Sequence, residues 1–284
     1  MLNNQQLQHI QALQQLCENA DGIALKLNWE MLRNRKTEQK HDYFHYTGDT
    51  LTGFLGVYKF GSKLEICGMV HPDYRRRGIF TSLLKEALQD SAATGYSSLL
   101  LNAPANSVAG QKFLNVTPCQ YECSEYQMRW DSTYKEDLSL SNEQPISQRK
   151  VVIRKAIQND IDDLIRLDKD GFEMSDEDVL DMAQILASDG LQHMYMIECD
   201  GITSGKINVI PSEAVTWIYA FTVDRAVRGQ GIGRRTLQLI IEQEQPNDNE
   251  LWLEVAVHNP QALQLYESCG FITQEKQDYY QYTG

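Results

Sequence analysis

Residues 228–235 read RGQGIGRR and lie between a β-rich run and an amphipathic helix pattern. Such a segment can cradle phosphate. A helix N-terminus presents unpaired backbone N–H groups and a partial positive charge, and both favour an anion. Gly231 and Gly233 remove side chains where the backbone must approach a pyrophosphate, and Arg228, Arg234 and Arg235 add charge. Two nucleotide loops compete for the same pattern. A Walker loop ends in Gly-Lys-Ser/Thr, and the Rossmann fingerprint needs GxGxxG at the start of a βαβ unit. Here Gly229, Gly231 and Gly233 are spaced by two, no lysine follows, and hairpin strands precede them.

The elements that must position this loop are legible around it. VVIRKAI (151–157) is a β-rich run, and Asn159 or Asp160 can cap a helix whose Ile161, Leu164, Ile165 and Leu167 fall at helical spacing. The stretch from Glu173 to Leu186 predicts a second helix, capped by Ser175. HMYMIECDG (193–201) predicts a strand entering a turn at Asp200-Gly201, and GKINVI (205–210) pairs back as a hairpin. AVTWIYAFTV (214–223) is the central strand, with Trp217 and Tyr219 expected first in the core and otherwise lining the pocket. A helix from Gly233 to about Gln243, a strand LWLEVAV (251–257), a short helix from Gln261 to Ser268 ended by Gly270, and a strand around Tyr279–Tyr282 complete the plan. This is a mixed α/β domain.

The plan occurs twice. VHPDYRRRGIFTSLL (70–84) aligns with VDRAVRGQGIGRRTL (223–237) at a shift of 153 positions, pairing Arg75 with Arg228, Gly78 with Gly231 and Leu84 with Leu237. The same shift pairs Asn106 with Asn259, Ala109 with Ala262 and Gln111 with Gln264, without a gap. One shift held over some forty residues indicates duplication. The first half opens with a helix over 5–16, has two strands within YFHYTGDTLTGFLGVYKF, and takes KLEICGMV as its central strand. The polar stretch 131–149, with Pro145, reads as a linker. The expected organisation is a first domain over 1–130, a linker over 131–149 and a second domain over 150–284.

The chain has 284 residues and a net charge of −13. That field opposes nucleic acid and anionic membranes and suits a cationic acceptor. Apolar stretches fall far short of the ~20 residues that span a bilayer, and the N-terminus lacks a signal-peptide pattern, so a cytoplasmic protein is expected. The six cysteines form no CxxC pair and no zinc spacing; reduced thiols and no metal are expected.

Arg-x-x-Gly-x-Gly after a strand ending in Val223 resembles the GNAT superfamily of N-acetyltransferases. LEVAVHNPQALQLYESCGF (253–271) is similar to that family's second signature, above all in the form found in ribosomal-protein N-terminal acetyltransferases. Two fused copies, the second better preserved, resemble the layout of mycothiol synthase. The resemblance covers 151–284 well and 40–130 more loosely. It implies two tandem GNAT-like domains, each a mixed, mostly antiparallel sheet flanked by helices, and acetyl-CoA as cosubstrate. It further implies that backbone groups of Phe221 and Val223 bond the pantetheine arm. Amides of Gly229, Gln230, Gly231, Ile232, Gly233 and Arg234, with Arg228, would hold the pyrophosphate, and Asn259 would contact the arm. Tyr266 would donate a proton to the departing thiolate, and Glu254 would take the proton of the amine, through water or directly.

The chemistry is consistent with these roles. Amide formation needs a neutral amine, whereas an alkyl amine is mostly protonated at neutral pH. Glu254 sits between Leu253 and Val255, where burial would raise a carboxylate's pKa; it reads equally as a solvated strand residue. Tyr266 could instead pack its helix on the sheet, and Asn259 before Pro260 also reads as an N-cap. In the first half the counterparts of Glu254, Tyr266 and Gly233 are Leu101, Phe113 and Phe80. That half is therefore expected to be non-catalytic, with Phe80 crowding the pyrophosphate. The acceptor is expected to be a primary amine of a small molecule or a peptide N-terminus. Glu173, Asp176, Glu177, Asp178 and Asp181 read first as a solvated helix face and otherwise as an acidic acceptor wall. The alternative function is a non-catalytic acyl-CoA-binding sensor or scaffold. A homodimer is compatible with the sequence.

Overall fold

The computed structural model describes residues 2–35, 40–92, 95–134, 149–172, 178, 179, 183, 186, 190–212, 214–245 and 249–284. The chain forms two compact units, residues 1–124 with 275–284, and residues 125–274. Each is a mixed α/β unit.

In the first unit, α1 (Asn4–Asp21) starts on a capping box, in which Asn3 and Gln6 exchange side-chain to backbone bonds, and stops at Gly22, whose φ is +65°. It is six residues longer than the apolar pattern suggested, and a short α2 (Trp29–Arg33) follows that the sequence did not signal. β1 (Asp42–Thr47), β2 (Thr50–Phe60) and β3 (Lys63–Val70) form an antiparallel meander. A crossover through α3 (Ile79–Ser91) brings β4 (Ser98–Pro104) parallel to β3. α4 (Val108–Leu114) follows, and β5 (Cys119–Trp130) leaves the unit after Ser124. Ile79, Leu83 and Leu84 of α3 and Leu114 of α4 pack with Leu55, Val57, Ile66, Leu99 and Leu101 on one sheet face. Ile10, Leu13 and Cys17 of α1 pack with Phe54, Tyr58, Cys67 and Met69 on the other.

The second unit repeats the plan. β6 (Val151–Lys155), β7 (Met194–Cys199), β8 (Ile202–Pro211) and β9 (Val215–Val223) are antiparallel neighbours. α6 (Ile232–Glu244) crosses over to β10 (Glu250–Ala256), parallel to β9. α5 (Ile161–Phe172) follows β6 and α7 (Pro260–Glu267) follows β10. Asp160 does not cap α5 as expected; its carboxylate accepts the Ile157 N–H and both arms of Arg154. Most of the expected helix over 173–186, and the acidic run on it except Asp178, lie outside the described residues.

The last strand, β11 (Phe271–Tyr282), begins eight residues before the expected one. Its residues 277–281 pair antiparallel with β4 in the first unit, while residues 125–129 of β5 pair antiparallel with β10 in the second. Each unit thus receives a strand from the other half of the sequence, which satisfies backbone edges that would otherwise stay unpaired. The compact units therefore differ from the sequence boundaries at residues 125–130 and 275–284, and most of the linker (135–148) lies outside the described residues. No described helix is long and apolar enough to cross a membrane.

Candidate active site

β9 and β10 are paired from Val215 with Glu250 to Ile218 with Leu253, and the pairing stops there although both strands continue. The strands part, and the stretch from Tyr219 to Val223 keeps a backbone edge that β10 does not use. On its other edge β9 bulges: its register to β8 shifts between Lys206 and Asn208, and Ala220 takes φ +46°. A left-handed alanine costs about 1–2 kcal/mol, and bulges of this kind re-aim side chains at functional sites. The side chain re-aimed here is that of Phe221.

β9 runs directly into the loop. Asp224 accepts the Ala226 N–H at 3.0 Å, capping the turn Arg225–Val227. Arg166 of α5 holds its second oxygen at 2.6 Å. The backbone bond and then Arg166 hold the Asp224 carboxyl below the ordinary carboxylate range. Arg228 Nε donates to the Val223 carbonyl at 2.8 Å and folds the loop back onto the strand end. Gly229 and Gly231 take φ +73° and +77°, a region other residues adopt only with strain. Gly231 is the N-cap of α6 and brings no side chain to cap it, so the first N–H groups of the helix keep their capacity for an anion. α6 begins at Ile232, one residue before the expected Gly233. Gln230 accepts from Arg149, and Arg234 is half-buried on the first turn of α6.

Glu254 and Tyr266 lie on opposite faces of β10. Leu251, Leu253 and Val255 face the core shared with α6 and α7, and Tyr266 is buried in that core. Glu254 points to the other face, half-buried, and accepts from Gln127 Nε2 at 2.9 Å. Burial raises the Tyr266 phenol above its ordinary value near ~10, so it stays protonated. Its ring meets Phe271 edge-on at 6.1 Å, which shows the packing role alongside any chemical one. Asn259 is the N-cap of α7, accepting the Ala262 N–H at 3.1 Å; its Nδ2 remains available to donate.

Trp217 and Tyr219 are not in the core. They share the Glu254 face, half-buried, with Trp217 stacked on Tyr219 at 5.7 Å and tilted on Trp252 at 5.8 Å. The core position on this strand is Ile218 instead. The same face carries a buried ion pair, Lys206 of β8 with Asp168 of α5. Desolvation raises the Asp168 pKa and lowers that of Lys206. Sequence reading missed this pair, Gln127 and the Ala220 bulge. The only local cue was Asp224 ahead of RAV, a turn-capping pattern.

The first unit builds the same loop with different residues. Arg75 Nε donates to the Val70 carbonyl at 3.1 Å, Arg76 takes φ +64° where the second copy has Gly229, and Gly78 takes φ +78° as the N-cap of α3. Phe80 does not crowd this loop. Its ring turns inward onto Gly68 and meets Phe113 edge-on at 4.9 Å.

A model of the acetyltransferase (GNAT) family matches residues 7–114 and again 159–271. Among solved structures, a GCN5-related N-acetyltransferase from Sphaerobacter thermophilus is similar with a TM-score of 0.74 at 19% identity, covering 96% of this chain and 91% of that one. A tandem GNAT protein from the clavulanic acid biosynthesis pathway is similar with a TM-score of 0.68 at 13% identity, covering 98% and 95%. An acetyltransferase from the GNAT family of Colwellia psychrerythraea reaches 0.62 at 10% identity, covering 98% and 97%. No curated protein matches the chain.

Proposed function

Since the chain belongs to the acetyltransferase (GNAT) family, we propose that its second copy transfers the acetyl group of acetyl-CoA to a primary amine of a small molecule or a peptide N-terminus. The observation that carries this reading is the parting of β9 from β10, with the capless helix start at one end of the gap and Glu254 and Tyr266 on its two faces. The residues fit the cosubstrate. Amides from Gly229 to Arg234, with Arg228, would take the pyrophosphate, the free edge at Phe221 and Val223 the pantetheine amides, and Asn259 Nδ2 the arm.

In the reaction the neutral amine attacks the thioester carbonyl; a C–N bond forms and the C–S bond breaks. Glu254 accepts the proton that leaves nitrogen, through water or directly. Tyr266, weakened as an acid by burial, serves the departing sulfur first as a hydrogen-bond donor, and the thiolate is protonated from it or from solvent. The row of Trp217, Tyr219 and Trp252 beside Glu254 favours an acceptor that arrives as a cation, through the ring faces, and the net charge of −13 acts in the same sense.

Thiol release from acetyl-CoA over a panel of polyamines, amino sugars and peptides tests this reading. Turnover that Glu254→Gln and Tyr266→Phe each depress supports it. Binding of acetyl-CoA without transfer to any amine would replace it with the sensor reading.

A further inference from the structure

Glu254 is the first residue of β10 past the point where its pairing with β9 ends, at Leu253. In the first unit the pairing of β3 with β4 ends in the same way, at Ile66 with Leu101. The ladders therefore place Asn102, and not Leu101, at the position of Glu254. The shift read from the sequence is off by one here, because the Ala220 bulge adds a residue to β9 and the connection into β10 is one residue shorter than that into β4. The positions on the next strand correspond as well. Glu254 stands opposite Gln127 of β5, and Asn102 opposite Tyr279 of β11. What the two pairs do differs. Gln127 Nε2 donates to Glu254 Oε1 at 2.9 Å. The Tyr279 hydroxyl instead accepts from Lys26 Nζ at 2.6 Å, and neither Nδ2 nor Oδ1 of Asn102 has a partner among the described residues. The cross-strand bond is thus no by-product of the shared fold. It is present where the carboxylate is.

We infer that Gln127 is a positioning residue for Glu254: its side-chain amide fixes the carboxylate for the acceptor amine without itself touching either substrate. The inference rests on reading Glu254 as the base. A glutamate on this face needs such a hold. Glu254 is half-buried, and its strand neighbours Leu253 and Val255 pack on the opposite side. A base that samples several rotamers is seldom aimed at the reacting nitrogen, and a misplacement of about 1 Å can cost about a hundredfold in rate. A carboxylate offers about four lone-pair positions, so one amide bond leaves it able to take a proton. Gln127 lies on β5, which comes from the first half of the sequence and pairs into the second unit. Any strand would satisfy the backbone edge of β10, but only a donor of this reach also holds Oε1. The first half thereby contributes to the reaction of the second, although Asn102, at its own position of the base, exchanges no protons.

The test is kinetics on the full chain, read as thiol release from acetyl-CoA with spermidine, or with the best amine of a panel of polyamines, amino sugars and peptides if spermidine is not turned over. Wild type is compared with Gln127→Leu, Glu254→Gln, the two combined, and Arg129→Leu, which breaks the neighbouring bond from β5 to Glu250 at 2.8 Å. Gln127→Leu is expected to lower kcat about tenfold and to leave KM for acetyl-CoA within about twofold. The combined variant should match Glu254→Gln within about twofold, because a positioning residue acts only through the group it holds. Arg129→Leu should keep kcat within about twofold of wild type, which separates the role from a general loosening of the strand pair. Circular dichroism melting checks each fold, and Gln127→Asn, one methylene short, takes the place of Gln127→Leu if that variant does not fold. Wild-type kcat in Gln127→Leu beside a slow Glu254→Gln overturns the inference and leaves the base standing. So does a combined variant slower than Glu254→Gln by the full factor of Gln127→Leu, or an Arg129→Leu as slow as Gln127→Leu. Wild-type kcat in Glu254→Gln, or no amine turned over by wild type, removes the reading of Glu254 as base and the positioning role with it.

Discussion

Phe80 packs onto Gly68 so closely that a methyl group placed on that glycine would lie 2.9 Å from the ring's Cε2. In the second copy the two positions are Phe221 and Gly233, and the arrangement is inverted: the ring comes from the strand and the space from the helix, with the ring tip 3.7 Å from a methyl on Gly233. One aromatic ring fills the interval between central strand and loop helix in each copy. Only the direction it comes from has changed. The bulge explains why the exchange is not free. Without it, position 68 faces the Phe54 carbonyl of the neighbouring strand and tolerates no side chain. With it, Ala220 turns and Phe221 is admitted.

That asymmetry predicts different responses to the same substitution. Gly68→Ala forces a methyl against backbone and is expected to destabilise by about 1–3 kcal/mol, the usual cost of overpacking. Gly233→Ala meets only the tip of Leu265 at 3.0 Å, in a helix where alanine is preferred by about 0.5–1 kcal/mol, and should be near neutral. Denaturant midpoints at constant slope measure both. Equal losses would remove the bulge from the explanation.

The loops allow a reciprocal exchange. Arg76 and Gly229 occupy the same left-handed position, φ +64° and +73°. Arg76→Gly should relieve strain and stabilise by up to about 1 kcal/mol, and Gly229→Ala should destabilise by about 1–2 kcal/mol. Gly229→Ala should also weaken acetyl-CoA binding, because the amides that follow are displaced. Thermal melts and calorimetry read the two effects. An Arg76→Gly variant that melts lower would show that its guanidinium contributes more than its backbone costs.

How far the sequence carried is visible at the same residues. The loop, the helix it opens and the duplication are local or periodic patterns, and a single shift of 153 positions exposed them. The bulge was not legible, because Ala220 looks like any strand residue and its φ is imposed by pairing with β8. Trp217 and Tyr219 were assigned to the core ahead of the pocket because an apolar run shows no alternation when one face carries aromatics around a site. The exchanged strands were hidden for a related reason: which edge β5 and β11 join is decided by contacts over 120 residues away in sequence, as between Gln127 and Glu254.

Lys206 and Asp168 form a buried pair in which each charge is tolerated only through the other. Lys206→Met alone should leave the Asp168 carboxylate uncompensated and destabilise by about 3–5 kcal/mol, whereas Lys206→Met with Asp168→Leu should recover most of that loss. A double-mutant cycle in denaturant gives the coupling. The single variant should also gain stability as pH falls, because desolvation raises the Asp168 pKa and protonation removes the buried charge. A single variant as stable as wild type would mean that water reaches the pair.

Tyr266 carries the sharpest pH test. Its phenol is raised above ~10 by burial, so the neutral form persists through the working range. The sign follows: the stability that this shift contributes is present below the unfolded value and is lost only as pH rises through the higher folded one. Activity should therefore rise with pH as the amine deprotonates, then hold level to about pH 9.5 with no descending limb from this residue. Tyr266→Phe should lower kcat by about a hundredfold at every pH, the scale of one general acid, while leaving the ascending limb where it was. The melting temperature should barely move, because the ring still packs on Phe271 and no described residue bonds the hydroxyl. Glu254→Gln should also lower kcat, since it removes the group that takes the amine's proton. If wild type shows a descending limb below pH 9 that Tyr266→Phe abolishes, the phenol titrates as an ordinary exposed tyrosine would not, and the acid must be assigned to a different state of the site.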